Sequence, residues 1–298
     1  MLGNGPAAAG LLRRWAWRAG APALLFVATV GSAGAAGDAT RGRYLAAAGG
    51  CVACHTEDRK GAGPYAGGRA LKTPFGTFYG PNLTPHVDAG LGRWTEADFV
   101  RAMREGVRPD GAHYYPAFPY PSFTRISDGD LSDLWAYLRS LPPDSRPNQA
   151  HQLRFPFRWR YALGAWKWLY FTPVRFAGDA GRSAAVNRGA YLVEALGHCG
   201  ECHTPRNMIG GTRRERHLAG GRDHAGKRVP NLTPTRLKKW SDAELNEYLV
   251  TGITPEFDSA DETMAVVVRN TTSQLTAADR AALIAYLRAL PPLPEEPR

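Results

Sequence analysis

The 298-residue chain has four cysteines, arranged as two copies of one pattern: Cys51-Val-Ala-Cys54-His55-Thr56 and Cys199-Gly-Glu-Cys202-His203-Thr204. Two thiols at this spacing can add across the two vinyl groups of one haem and become thioethers. The next residue is then held under the ring, where its imidazole binds iron. Other chemistries also use paired cysteines, but each fits poorly. A zinc ribbon separates its pairs by about 15–20 residues, far less than the gap from Cys54 to Cys199. Thiol–disulfide exchange wants a thioredoxin-like βαβ context, which the sequence lacks. Structural disulfides would not require a histidine after each pair. The pattern therefore implies two covalently bound haem c groups, with His55 and His203 as iron ligands.

The elements that must position these residues occur twice. Arg41-Gly-Arg-Tyr-Leu45, Pro81-Asn-Leu-Thr-Pro85, Trp94-Thr and Trp135-Ala-Tyr-Leu-Arg-Ser-Leu-Pro-Pro143 surround the first motif. Arg188-Gly-Ala-Tyr-Leu192, Pro230-Asn-Leu-Thr-Pro234, Trp240-Ser and Ile284-Ala-Tyr-Leu-Arg-Ala-Leu-Pro-Pro292 surround the second in the same order. Two copies make a tandem array, since a solenoid needs at least three. A short helix should precede each cysteine motif. Thr95-Glu-Ala-Asp98 and Ser241-Asp-Ala-Glu244 read as capping boxes for a middle helix. Ser127 and Thr276 start a last helix, with Leu131, Leu134, Trp135 and Leu138, then Ala282, Leu283, Tyr286 and Leu287, at helical spacing. Proline pairs stop it. No alternating strand pattern stands out, so the expected fold is all-α: two tandem helical domains at 37–143 and 183–293.

Residues 1–36 read as a cleaved secretory signal peptide, with Arg13, Arg14 and Arg18 before an apolar run and Ala33-Gly34-Ala35 as the cleavage site. Export places the mature protein in the periplasm. The linker at 144–182 turns aromatic in Phe155-Pro-Phe-Arg-Trp-Arg-Tyr161 and Trp166-Lys-Trp-Leu-Tyr-Phe171. Its cations make it a poor transmembrane helix. Its rings either pack between the domains or form a patch for peripheral membrane association or partner docking. The net charge is +10, near +7 (10 − 3) once the leader's three arginines are removed, and four haem propionates would offset part of it, so the surface is only mildly basic; a basic rim around a haem edge would suit an acidic redox partner through steering. Nothing combines bases and stacking aromatics as nucleic-acid binding requires. No phosphate loop, Rossmann fingerprint or Ser-His-Asp arrangement appears.

The paired C-x-x-C-H-T, Pro-Asn-Leu-Thr-Pro and Ala-Tyr-Leu-Arg-x-Leu-Pro-Pro segments resemble those of tandem dihaem cytochromes c, bacterial periplasmic electron-transfer proteins. The resemblance covers nearly all of the chain after the leader. It implies one small helical domain per haem. It also implies that the Pro81 and Pro230 carbonyls accept the Nδ1 proton of each proximal histidine. It places the distal methionine between the middle and last helices, where Met264 stands. Met208 is too near Cys202 for that role, and Met103 lies on the middle helix as core. In the first copy Phe118 holds the place of Met264, counted from Trp94 and Trp240. Phenylalanine cannot bind iron, so His113, weaker tyrosine ligands or an open position remain.

Two functional readings follow. The first is an electron carrier, such as the cytochrome subunit of a dehydrogenase, passing electrons to another cytochrome or a terminal oxidase. The second is a peroxidase-like or sulfur-oxyanion haem enzyme with an open first iron.

Overall fold

The computed structural model describes residues 37–223 and 226–295; the expected signal peptide lies outside the described residues. Helix α1 (Ala39–Ala48) starts where the Asp38 carboxylate accepts from the amides of Thr40 and Arg41. It satisfies donors that an α-helix leaves open at its N-terminus. The first motif forms α2 (Cys51–His55), entered through Gly50 at φ +62°. Strands β1 (Ala70–Thr73) and β2 (Gly76–Tyr79) follow as a hairpin. Then come α3 (Glu96–Glu105), α4 (Tyr120–Phe123) and α5 (Asp128–Ser140). Strand β3 (Gln152–Leu153) and α6 (Ala162–Tyr170) lie in the segment between the copies.

The second copy opens with α7 (Ala184–Tyr191), which runs into a π-helical turn at Leu192–Leu196. Its motif forms α8 (Gly200–His203). Strands β4 (Gly221–Arg222) and β5 (Arg228–Val229) pair antiparallel. Helices α9 (Pro234–Leu237), α10 (Asp242–Thr251), α11 (Glu262–Asn270) and α12 (Ala277–Arg288) complete it.

The expected caps form. Thr95 with Asp98, and Ser241 with Glu244, make reciprocal capping boxes. Ser127 and Thr276 cap α5 and α12. The all-α expectation needs correction, because the fold is mainly helical but carries two small sheets, β1-β2-β3 and β4-β5. The physical reason is length: strands of two to four residues are too short to show a period of two. The β1–β2 turn is instead held by local bonds, Thr73 Oγ1 to the Gly76 carbonyl at 2.7 Å and the Phe75 amide to Thr73 Oγ1 at 3.1 Å.

In each copy the first helix crosses the last at a glycine. A methyl group on Gly42 would fall 1.9 Å from the Asp133 carbonyl oxygen, and one on Gly189 would fall 1.9 Å from that of Ala282. The two copies then lock together by a reciprocal exchange. Tyr44 on α1 donates to Asp279 Oδ2 on α12 at 2.6 Å and accepts from the Thr276 amide at 3.2 Å. Tyr191 on α7 donates to Asp130 Oδ2 on α5 at 2.6 Å and accepts from the Ser127 amide at 3.0 Å. Each first helix thus helps cap the last helix of the other copy. One hydrophobic core runs through both, with Leu45, Ile126 and Leu131 joined to Val193, Leu196 and Leu218. A smaller cluster of Phe78, Tyr115 and Leu163 seats α6 on the sheet.

Candidate haem sites

Each cysteine motif is one short helix entered through a left-handed residue, Gly50 at φ +62° or His198 at φ +40°. The thiols are free. Burial pushes those of Cys51 and Cys199 up to about 12, and that of Cys202 to about 11, so they stay protonated at neutral pH. Among the described residues no three histidine, cysteine or acidic side chains converge on a metal-binding cluster.

The histidines are held alike in both copies. His55 Nδ1 lies 2.7 Å from the Pro81 carbonyl oxygen, and His203 Nδ1 lies 2.7 Å from that of Pro230. A carbonyl can only accept, so each Nδ1 carries the proton. The lone pair is then on Nε2, the tautomer an iron ligand needs. Burial lowers both imidazole pKa values and keeps the rings neutral. The structure therefore brings Cys51, Cys54, His55 and Pro81 together, and likewise Cys199, Cys202, His203 and Pro230. Two thiols and a neutral, oriented imidazole on one short helix fit a covalently attached haem.

The surrounding loops share a set of bonds. Thr56 Oγ1 accepts from the Tyr65 amide and Thr204 Oγ1 from the Leu218 amide, both at 3.0 Å. Leu83 and Leu232 donate to the Tyr65 and Leu218 carbonyls, both at 2.8 Å. Asn82 and Asn231 are fully enclosed, and each fixes the chain that leaves the last helix. Asn82 Nδ2 donates to the Asp144 carbonyl at 2.8 Å, and Asn231 Nδ2 to that of Leu293 at 2.9 Å. One Pro-Asn-Leu-Thr segment thus orients the imidazole through its proline and ties down the chain end through its asparagine.

The distal loops also correspond. Val107 bridges His113, as Ile253 bridges Ser259. Tyr114 then donates to the Gly106 carbonyl, as Ala260 donates to that of Gly252. In this register Phe118 occupies the place of Met264, and His113 that of Ser259. Met264 is half-buried in the first turn of α11, where its amide donates to the capping Asp261 at 3.0 Å. Met103 belongs to the core, and Met208 is 93% exposed.

His113 is engaged elsewhere. Lys167 Nζ lies 3.1 Å from His113 Nδ1, and Arg160 donates to the His113 carbonyl at 2.6 Å. Burial and the nearby ammonium both lower the His113 pKa. An Nδ1 that accepts from lysine leaves the ring proton on Nε2, where it occupies the lone pair iron would use. This tautomer is the opposite of the one at His55 and His203.

Sequence reasoning missed the contact between the two sites. Ser122 donates to Glu201 Oε1 at 2.8 Å, inside the second cysteine motif. The rings of Phe118 and Phe123 lie 5.7 Å apart, and those of Phe123 and His198 5.4 Å apart. A row of rings therefore leads from the distal loop of copy one to the residue before Cys199. The left-handed backbone of His198, where copy one has glycine, is the local signal of this special position.

The Cytochrome c family model matches residues 39–142. The chain is 47% identical to "Diheme cytochrome c-type" of Cereibacter sphaeroides, across 87% of this chain and 88% of that protein. It is 40% identical to "Fructose dehydrogenase cytochrome subunit" of Gluconobacter japonicus, across 85% of this chain and 52% of that protein. It is 36% identical to "Alcohol dehydrogenase (quinone), cytochrome c subunit" of Gluconobacter oxydans, across 86% of this chain and 55% of that protein. The chain thus spans about half the length of these two dehydrogenase subunits. With two matching attachment motifs and a relative aligned along almost its whole length, the chain belongs to the dihaem c-type cytochromes, electron-transfer proteins with covalently bound haem c.

Proposed function

We propose that the chain is a periplasmic electron relay serving a dehydrogenase, with one haem c on Cys51, Cys54 and His55 and a second on Cys199, Cys202 and His203. In this reading residues 37–143 and 183–293 each form one haem domain. The observation that carries it is the pair of Nδ1–carbonyl bonds at 2.7 Å, which prepare both imidazoles as ligands. Haem c supplies a one-electron couple at each site. The protein holds each imidazole in one tautomer and limits movement around it. At the second site Met264 would join Cys199, Cys202 and His203 in holding the group, its thioether supplying a further iron ligand. The electron donor is a dehydrogenase subunit, and the acceptor is another cytochrome or a terminal oxidase.

At the first site Phe118 offers no ligand, and His113 is turned to Lys167 in the non-ligating tautomer. On both observations neither residue would supply a further iron ligand there, and a haem held without one would suit the second reading, a haem enzyme acting on peroxide or a small sulfur oxyanion. Adding cyanide to the ferric protein tests the arrangement. One haem should bind it at once and the other resist. Two resistant haems would overturn the open site. Turnover of peroxide or tetrathionate would select the enzyme over the relay.

A further inference from the structure

Helix α6 is apolar on both of its long faces. Its inner face is anchored. Leu163 packs on Phe78 and Tyr115. Lys167 Nζ donates to the Glu105 carbonyl and lies over the rings of Tyr120 and Phe171. The Trp166 indole donates to the Ile209 carbonyl at 2.9 Å. Its outer face has no such cover. Tyr161, Ala162, Ala165, Trp168 and Leu169 follow helical spacing and are all exposed, with Tyr161 at 95%, Trp168 at 83% and Leu169 at 56%. The approach to the helix adds two more exposed rings, Phe155 at 65% and Trp159 at 54%, which pack edge to face at 4.9 Å. A helix of a water-facing surface ordinarily turns polar side chains outward. Contiguous exposed apolar area of this kind marks an interaction site.

The charge carried by the segment itself has one sign. Residues 145–178 contain no aspartate or glutamate and six cations. Arg154 and Arg158 are exposed within this segment, Arg175 is exposed and pairs with Asp128 at 3.2 Å, and Arg214 joins them by donating to the Tyr170 carbonyl at 3.2 Å. Glu105, beside Lys167, is the acid that faces α6 from α3. No helix among the described residues is long and apolar enough to cross a membrane.

We infer that the outer face of α6, with the 155–161 approach, docks on the surface of an anionic phospholipid bilayer. Tryptophan and tyrosine sit well at the headgroup level, and arginine meets lipid phosphate. A continuous anionic plane suits a face whose approach, residues 155–161, carries Arg158 and Arg160 and no carboxylate. The inference goes beyond the relay reading and does not depend on it.

The test uses the haem-loaded full chain as exported, floated with vesicles of phosphatidylcholine alone or mixed with phosphatidylglycerol. The expected result is flotation with the anionic vesicles and binding about tenfold weaker to the zwitterionic ones, with strong salt dependence. The double variant W168E/L169E should lose flotation on both. The double variant R154E/R158E should lose only the preference for anionic lipid. All should keep the parent absorption spectrum, which shows that the haem sites are intact. Wild-type protein that stays with the soluble fraction would overturn the proposal, as would W168E/L169E floating like the parent. Trp168-dependent binding to an acidic protein without vesicle binding would also overturn it and assign the face to a protein partner.

Discussion

The hydrogen-bond partner of Nδ1 sets the histidines proposed as iron ligands apart from His113. His55 and His203 donate to proline carbonyls, whereas His113 accepts from Lys167. Two variants follow at this scale. His113→Ala should leave the absorption spectrum of both haems unchanged; loss of a low-spin signal from the first haem would show that the ring ligates after all. Phe118→Met should supply the missing thioether at the place Met264 occupies in the second copy. Cyanide affinity of the first haem should then fall on the order of tenfold or more, and its potential should rise toward that of the second. The paired cysteine motifs, the histidine after each and the place of Phe118 in the repeat were legible from the sequence, because motif and repeat spacing encode them; their roles at iron are part of the proposal. The tautomer of His113 was not, since Lys167 lies in the linker and meets it only through the packing of α6.

Among the elements, the helix crossings carry the sharpest constraint. A Cβ at Gly189 would lie 1.9 Å from the Ala282 carbonyl oxygen, so the backbones must separate to admit it. Gly189→Ala should destabilise the protein by about 3 kcal/mol. Gly164→Ala on α6, where a Cβ meets nothing within 4 Å, should be neutral or stabilising by up to about 1 kcal/mol. Thermal unfolding of the two variants checks the pair, and equal effects would contradict the crossing geometry. Capping residues predicted the starts of α3, α5, α10 and α12 well, because a cap is a local contract between side chain and backbone. The small sheets escaped notice because β3 joins β2 from far along the chain, and each strand is too short to announce itself.

Across the whole molecule, the two copies share one core and exchange tyrosines. Tyr44 and Asp279 are far apart in sequence, so no local pattern points to their bond, although the repeat itself is plain. Asp279 is held by Arg188, through bonds of 2.9 and 2.7 Å, and by Tyr44. Chiefly through the Arg188 bonds, its carboxyl titrates below its usual 3.8. The unfolded chain therefore binds a proton here at higher pH than the folded one. The stabilisation is fully present above about pH 4 and is lost as pH falls through the folded value. Asp279→Asn should be less stable than the parent at pH 7, and the gap should narrow below pH 4. A gap constant with pH would contradict the pairing.

The intact mass of the exported chain reads haem attachment itself. The parent should carry two added haem masses that survive acid denaturation, and the double variant C199A/C202A one. A parent mass with four unmodified thiols, or a variant that still carries two haems, would contradict it.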